Sequence, residues 1–517
     1  MKIAPSRISQ HLFLMLFLLL FVQTEYRGQD EINAAVNAFF RIDPLVLFSY
    51  LLAVKSWSWL LLPALLMVVA TVLLGRFFCS WICPLGTILD LVTSWIPKSA
   101  PLKILKGTTK YWLLLPLLFS SLFNLNLSGL LDPIALLLRA LTFLLYPLLG
   151  LSAREGWVAL YHLIGEKRDG VAPAYNLIRD HLLPFRDTLY PLALLSALLF
   201  LAIIALERFE TRNWCRNLCP LGTLLGWLGS FSLLRRLPTG TCADCGRCSE
   251  LCPTAFDTGQ FRKVDCLLCM ECTAGCPHDR ATFRFSLKAG RTFPHVPERR
   301  LLLGTMAGGL LLALPTRFRT PEQQSRLLRP PGVRSEDDFL RKCVRCGECM
   351  KVCLKNALYP ATYQAGVEGI YTPLVIPRLG YCEYNCTLCG QVCPTGAIPR
   401  LPVEAKRREV IGKAVFDRNH CLPFARRTDC IVCEEHCPIP EKAIRSRNVT
   451  VMAMDGTTRT IKEPYIMDDL CNGCGICENV CPLETKPGIE IFAVKNHTPI
   501  SPPVSSESPT NSDPYAN

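Results

Sequence analysis

Polar and apolar positions divide the chain into two halves. Before Leu237, four apolar runs stand between polar connections: Leu12 to Val22, Trp57 to Leu74, Tyr111 to Leu127 and Leu189 to Leu206. Runs that are apolar on every face predict helices sunk in lipid or in a protein core. The first is short and follows Lys2 and Arg7, as in a signal peptide. No small-x-small cleavage site comes after it, so it reads as a retained helix. A fifth run, Leu301 to Leu314, is preceded by Glu298, Arg299 and Arg300. Beyond it apolar residues thin out, and pieces such as Gly369 to Pro377 and Thr458 to Met467 read as strands of β-hairpins.

The first half repeats itself. The second run ends in RFFCSWICPLGTIL, Arg76 to Leu89, and the fourth in RNWCRNLCPLGTLL, Arg212 to Leu225. Upstream of each, Asp43-Pro44 and Asp132-Pro133 open an apolar stretch. Asp at the cap with Pro at the first helical position starts a helix, so each repeat is expected to hold a half-length helix dipping in from the outer side. Repeats of one polarity imply a pseudo-two-fold axis along the membrane normal, with functional sites where they meet. The spacing differs between copies by 47 residues, which points to an outer-side insertion within Leu149 to Arg186. Each cysteine pair is spaced i and i+4 and is expected to share one helix face. That brings Cys79, Cys83, Cys215 and Cys219 to one depth, placed to hold a further iron–sulfur or other metal centre or to act as a dithiol relay. Inert buried cysteine is the plain alternative.

Charge sets the orientation of these helices. The connection Gly75 to Lys110 carries five basic residues and one acid, and Glu207 to Gly240 carries five and two, whereas the other connections are balanced. By the positive-inside rule both ends of the unit and its middle connection face the cytoplasm. The net charge of +13 belongs to this half, since residues 320–517 carry 24 Lys and Arg against 23 acids. No basic patch with interleaved aromatics on a soluble fold is seen, which excludes a nucleic-acid reading.

The 517 residues include 28 cysteines, none of them isolated, and the mean hydropathy is +0.25. Between Cys242 and Cys276 the run C-x2-C-x2-C-x3-C-P occurs twice. Three thiolates of such a run grip one iron–sulfur cube and the fourth cysteine serves the neighbouring cube. Cys242, Cys245, Cys248 and Cys276 are therefore assigned to one [4Fe–4S] cluster, and Cys252, Cys266, Cys269 and Cys272 to another. A zinc ribbon lacks the third cysteine at this spacing. Four more quartets follow: Cys343, Cys346, Cys349, Cys353; Cys382, Cys386, Cys389, Cys393; Cys421, Cys430, Cys433, Cys437; and Cys471, Cys474, Cys477, Cys481. They predict four more clusters and six in all. The outer two quartets are regular and the inner two open with longer spacers, which favours a nested pairing over a sequential one.

Arg299-Arg300 before a Gly-rich apolar run has the form of a Tat signal, which exports proteins already folded around their cofactors. The fourteen residues 301–314 make about 21 Å of helix, short of a hydrocarbon core of about 30 Å. If they span, the last four clusters lie outside the cytoplasm. Thr316 to Asp338 reads as a linker, and the tail from Thr498 as disordered. The chain has no nucleotide-binding glycine loop.

The C-x3-C-P pairs followed by a two-cluster segment resemble the NapH family, and NosR-like and CcoG-like membrane proteins share the pattern. The runs RPPGVRSEDDFLRKCVRCGECMKVC and GYCEYNCTLCGQVCPTGAI resemble the NapG/MauM ferredoxin-type family. The chain thus resembles a NapH–NapG fusion. It is expected to be a membrane α-helical unit of four helices with an internal repeat, plus a fifth short helix, followed by α+β bacterial-ferredoxin-like modules. The expected domains are 1–237, 238–290, 291–338, 339–497 and the tail 498–517. The resemblance implies an inner-membrane protein that exchanges electrons between quinol and a multihaem cytochrome c or periplasmic reductase. Asp43 and Asp132, expected at the outer mouth, are candidate quinol proton acceptors as well as N-caps. A copper-handling or assembly factor is the rival reading, and no His-rich or Met-rich stretch supports it.

Overall fold

The computed structural model describes residues 4–28, 30–32, 34–97, 109–164, 172–185, 188–238, 245, 247–254, 263–278, 280–286, 303–309, 324–452 and 458–494. The helices α1 (Pro5–Gln23), α4 (Leu62–Leu74), α7 (Thr109–Leu122) and α11 (Ala193–Leu206) fall on the four apolar runs. Each runs between two cysteine-rich modules, a proximal one holding Cys266 and a distal one holding Cys343. At the start of α1, Ser6 donates to the Cys269 carbonyl at 2.6 Å, and just past its end Thr24 O accepts from Lys351 at 2.8 Å. Leu60, ahead of α4, reaches Gly396, and Gly75, which closes α4 at φ +112°, lies against Leu268. Lys110 in α7 pairs with Asp265 at 2.6 Å, and Asn126 beyond it donates to the Arg341 carbonyl at 3.3 Å. Ser196 in α11 donates to the Tyr371 hydroxyl at 3.1 Å, and Thr211 past its end donates to the Pro253 carbonyl at 2.9 Å. The two modules therefore occupy opposite ends of one helical unit. Leu12, Met15, Leu66, Val69, Leu194 and Leu198 are exposed on its flanks. Among the described residues, Pro5–Gln23 and Pro133–Leu163 are long and apolar enough to cross a membrane by length and composition.

After α2 (Asn37–Arg41), α3 (Pro44–Val54) is the expected half-length helix, capped by Asp43. Its counterpart departs from expectation. α8 (Pro133–Ala140) passes through a π-helical turn, Leu141–Leu145, into α9 (Tyr146–Ile164), so the helix from Asp132 continues for 31 residues. The wider turn comes just before Pro147, whose missing N–H breaks a regular α-helical ladder. α10 (Ala172–His181) completes the inserted stretch. Each cysteine pair sits at a helix break, between α5 (Phe78–Trp81) and α6 (Pro84–Thr93), and between α12 (Asn213–Asn217) and α13 (Pro220–Gly229).

Residues 303–309 are helical and run alongside α7 in the same direction. Gly304 packs on Trp112 and Gly309 on Phe119, where a Cβ would crowd the ring or its stem. This segment of the fifth apolar run lies on the path from the proximal to the distal module. Arg299 and Arg300, and the tail from Thr498, lie outside the described residues.

The modules are small α+β units. Strand β1 (Leu234–Pro238) pairs with β2 (Ala281–Phe285) and closes the proximal one. In the distal one β3 (Leu358–Pro360) pairs with β4 (Pro373–Val375), β5 (Lys413–Phe416) with β8 (Ile489–Phe492), and β6 (Ile444–Met452) with β7 (Thr458–Ile466), all antiparallel. Leu327, Leu328 and Val333, within the stretch read as linker, are buried, so the distal module begins upstream of Asp338. One apolar core joins Leu45, Ile134 and the four thiols of the helical unit to Val344 and Cys346 of the distal module. The halves are thus fused by packing.

Candidate functional site

Pro84 and Pro220 force the cysteine before each into extended backbone, φ −63° ψ 115° at Cys83 and φ −63° ψ 116° at Cys219. The two thiols of a pair therefore do not share one helix face, contrary to the spacing argument. The breaks still gather the four: all are buried, and the Cys79 thiol interacts with those of Cys83, Cys215 and Cys219. The arginine that opens each motif crosses to the other repeat. Arg76 Nη2 donates to the Cys215 carbonyl at 2.7 Å, and Arg212 Nη1 donates to the Cys79 carbonyl at 3.0 Å. Gly222 leaves room for Arg76, which a Cβ there would strike. Arg76 Nε also lies 3.3 Å from Cys79 Sγ, and Arg212 forks onto Asp90 at 2.7 and 2.5 Å. The shared arginines are visible in the motifs; their exchange is a tertiary fact.

In the proximal module Cys252 lies with Cys266, Cys269 and Cys272, as the spacing requires. Cys245 is exposed, Cys248 and Cys276 are half-buried, and Cys242 lies outside the described residues. Arg212 faces both Cys215 and Cys269 and so joins this group to the thiol quartet.

The distal quartets pair sequentially, which corrects the nested expectation. Cys393 lies with Cys343, Cys346 and Cys349, and Cys353 with Cys382, Cys386 and Cys389. Likewise Cys481 lies with Cys421, Cys430 and Cys433, and Cys437 with Cys471, Cys474 and Cys477. The Cys474 and Cys382 thiols also interact, and the Cys382 N–H donates to the Cys474 carbonyl at 2.8 Å. The four groups thus follow one another outward from Cys346.

The donor set fits iron–sulfur cubes. The three regular C-x2-C-x2-C loops among the described residues repeat one backbone form, with left-handed residues at Leu268 and Met270, at Arg345 and Gly347, and at Gly473 and Gly475. Backbone N–H groups of Ala357, Ile398, Ala443 and Gly488 donate to the Sγ atoms of Cys353, Cys393, Cys437 and Cys481 at 3.1, 3.4, 3.3 and 3.3 Å. Those are the fourth cysteines of the four quartets. Burial pushes the Cys386, Cys433 and Cys474 thiols up to about 12, so it takes a bound metal to displace their protons.

The comparisons agree with this chemistry. The family model of a 4Fe-4S binding domain matches residues 56–103 and again 190–238, one C-x3-C-P pair in each; that of a 4Fe-4S dicluster domain matches 342–397, and a further 4Fe-4S binding domain 464–485. Ferredoxin-type protein NapG of Escherichia coli strain K12 is 35% identical over 210 residues, 38% of this chain and 87% of NapG. The chain belongs to the NapG/MauM ferredoxin-type family. Methylamine utilization ferredoxin-type protein MauM of Methylorubrum extorquens is 36% identical over 201 residues, 37% of this chain and 87% of MauM. No solved structure matches the chain. As a NapG/MauM member it is an iron–sulfur electron-transfer protein, and the dicluster match over 342–397 holds the two quartets that the structure pairs.

The distal module of this NapG/MauM protein grips the helical unit through charged side chains that sequence reasoning did not single out. Arg345 donates to the Asn126 and Glu368 carbonyls, Arg139 to the Arg345 carbonyl at 3.2 Å, and Glu348 accepts the Asn37 N–H at 2.9 Å. Asp43 and Asp132 are not at an open mouth: both are 0% exposed where the repeats meet. A cavity of about 460 Å³ lies instead against the proximal module, walled by Gln10, His11, Thr87, Leu91, Arg212 and Cys269.

Proposed function

We propose that this protein is a membrane-embedded conduit carrying electrons between the quinone pool and a redox partner on the far side, such as a multihaem cytochrome c or a periplasmic reductase. The observation that carries the reading is the placement of the cysteine groups along four helices, with the proximal group and the thiol quartet at one end, the distal groups at the other, and one apolar core between. The proximal module would face the cytoplasm, as the basic connections around it favour, and the distal module the periplasm. The exposed leucines of α1, α4 and α11 suit contact with acyl chains, and the short helices would be matched to the bilayer by packing together.

Bound [4Fe–4S] cubes supply one-electron oxidation and reduction. Cys252, Cys266, Cys269 and Cys272 would hold one at the proximal end, the quartet Cys79, Cys83, Cys215 and Cys219 a further centre, and the distal pairs four more. The residues of Cys242–Cys276 not placed above complete the count of six outside the quartet. Arg76 and Arg212 supply positive charge beside the thiol quartet, and the apolar core from Cys79 to Cys346 keeps water out. The cavity beside Cys269 has room for a quinone ring, with exposed Leu12, Leu91 and Trp95 nearby for its tail. The protons of a quinol would leave past His11, since Asp43 and Asp132 are sealed from the cavity.

The test is anaerobic purification with iron and labile-sulfide analysis, followed by reduction with a menaquinol analogue. The expected result is about 24 iron atoms per chain from six cubes, plus those of the thiol quartet, bleached by the quinol. Colourless protein, or iron that the quinol cannot reduce at any pH, refutes the conduit. A reporter fused after Asp338 reads the side of the distal module.

A further inference from the structure

Asp43 and Asp132 do more than cap helices. In each, one oxygen takes the capping bond, Asp43 Oδ1 from the Leu45 N–H at 2.7 Å and Asp132 Oδ2 from the Ala135 N–H at 2.8 Å. The other two oxygens, Asp43 Oδ2 and Asp132 Oδ1, are fully buried and receive no donor. Yet the two carboxyl groups lie within hydrogen-bonding reach of each other.

The charge of Arg139 reaches Asp132, but no cation among the described residues hydrogen-bonds to either carboxyl. Arg139, the cation on α8, donates to the Gly129, Leu130 and Arg345 carbonyls. Lys110, in the first turn of α7, pairs with Asp265, and Asp90 of α6 pairs with Arg212. On the helix Glu336–Lys342, which packs on α3, Glu336 pairs with Arg329 and Lys342 with Asp338. Arg41 faces Glu348, and the buried Nε atoms of Arg41 and Arg341 make no hydrogen bond among the described residues. What faces the carboxyls is a pair of helix N-termini. Each is equivalent to about half a positive charge, but neither these ends nor Arg139 places a donor between the two facing oxygens.

Two carboxylates in contact in a low dielectric cannot both stay ionised. We infer that Asp43 and Asp132 form one proton-binding site at the crossing of the repeats, with a single proton shared by the two donorless oxygens and one net negative charge held by the two helix ends and Arg139. The pair is one acid with two sites of residence for its proton. Leu45 and Ile134, beside the aspartates, belong to the core that also contains Cys79 and Cys346, so the proton sits in the same packed interior as both cysteine groups. The inference rests on the conduit reading for this setting only.

Infrared spectra of the full-length protein in H2O and D2O test it. Recorded in a Glu348→Gln background, which removes the other raised carboxyl that is fully buried, the protein with both aspartates should show an exchangeable protonated-carboxyl band. In the same background D43N and D132N should each abolish that band completely, because an amide N–H then takes the place of the proton and the remaining aspartate stays ionised. Thermal midpoints should be near that of the background in both single variants and clearly lower in D43N/D132N, which leaves two helix ends without their charge. No band while both aspartates are present, with more stable single variants, would mean two ionised caps and overturn the site. Half the band lost in each variant, with a double variant as stable as the singles, would mean two independent neutral acids and overturn it equally. The band of the protein with both aspartates stands even where a variant fails to assemble. It needs no electron transfer, so a chain that fails the iron assay refutes the conduit and leaves this measurement intact.

Discussion

Arg76 offers a quantitative handle on the thiol quartet. The side chain is 2% exposed, its Nε lies 3.3 Å from Cys79 Sγ, and Nη2 holds the Cys215 carbonyl at 2.7 Å. At an effective dielectric of about 20, unit charges separated by that 3.3 Å interact by about 5 kcal/mol. An electron taken up by a centre held on four thiolates spreads over all of them, so roughly a quarter to a half of that applies, about 1–2.5 kcal/mol. A one-electron couple shifts by about 59 mV for every 1.36 kcal/mol. Arg76→Gln should therefore lower the potential of the centre by about 50–110 mV, because the lost cation favoured the reduced form. Arg76→Lys keeps the charge but not the fork, and should lower it by less than half as much. Redox titration of the full-length protein, followed by electron paramagnetic resonance, reads both. An unchanged or raised potential in Arg76→Gln with normal iron content refutes the reasoning.

Three further outcomes are expected. Gly129→Ala should loosen the distal module, since a Cβ there meets the Val344 carbonyl; losing the Arg139 and Asn126 bonds costs roughly 2–4 kcal/mol, read by limited proteolysis between the halves. Cys353→Ser should remove about four iron atoms; adding Cys382→Ser should cost no further iron, whereas adding Cys471→Ser should, and the reverse pattern would restore the nested pairing. Burial pushes the Glu348 carboxyl up to about 8, against the lowering effect of the Asn37 N–H. An acid that binds its proton more tightly when folded stabilises the fold below its unfolded range and loses that as pH rises through about 8. The thermal midpoint of wild type should fall across that range, and Glu348→Gln, which keeps an acceptor for Asn37, should flatten the profile.

The sequence showed most clearly what is local. The four helices between the modules were legible because their residues are apolar on every face, and Asp43 and Asp132 because a cap followed by proline is a backbone signal. Pro84 and Pro220 carried the helix breaks in plain view, although i and i+4 spacing suggested a shared face. The length of the helix from Asp132 was not legible, since Pro147 argued for a stop and a π-helical turn carries the chain through it. The distal pairing misled because cysteine spacing sets the form of one loop, whereas the partner is set by the chain between loops. The arginine exchange and the facing carboxyl oxygens depend on two remote segments meeting, which no single stretch encodes.

The crossed arginines have a consequence for how this unit is built. Arg76 finds its carbonyl only in the later repeat and Arg212 only in the earlier one, so neither repeat is a smaller version of the whole. A chain stopped after the first would leave the Arg76 guanidinium without the carbonyl that Nη2 holds. Conversely, two separately expressed halves carry every group needed to complete each other. Cut within 98–108, between the repeats, the protein should still assemble as a heterodimer.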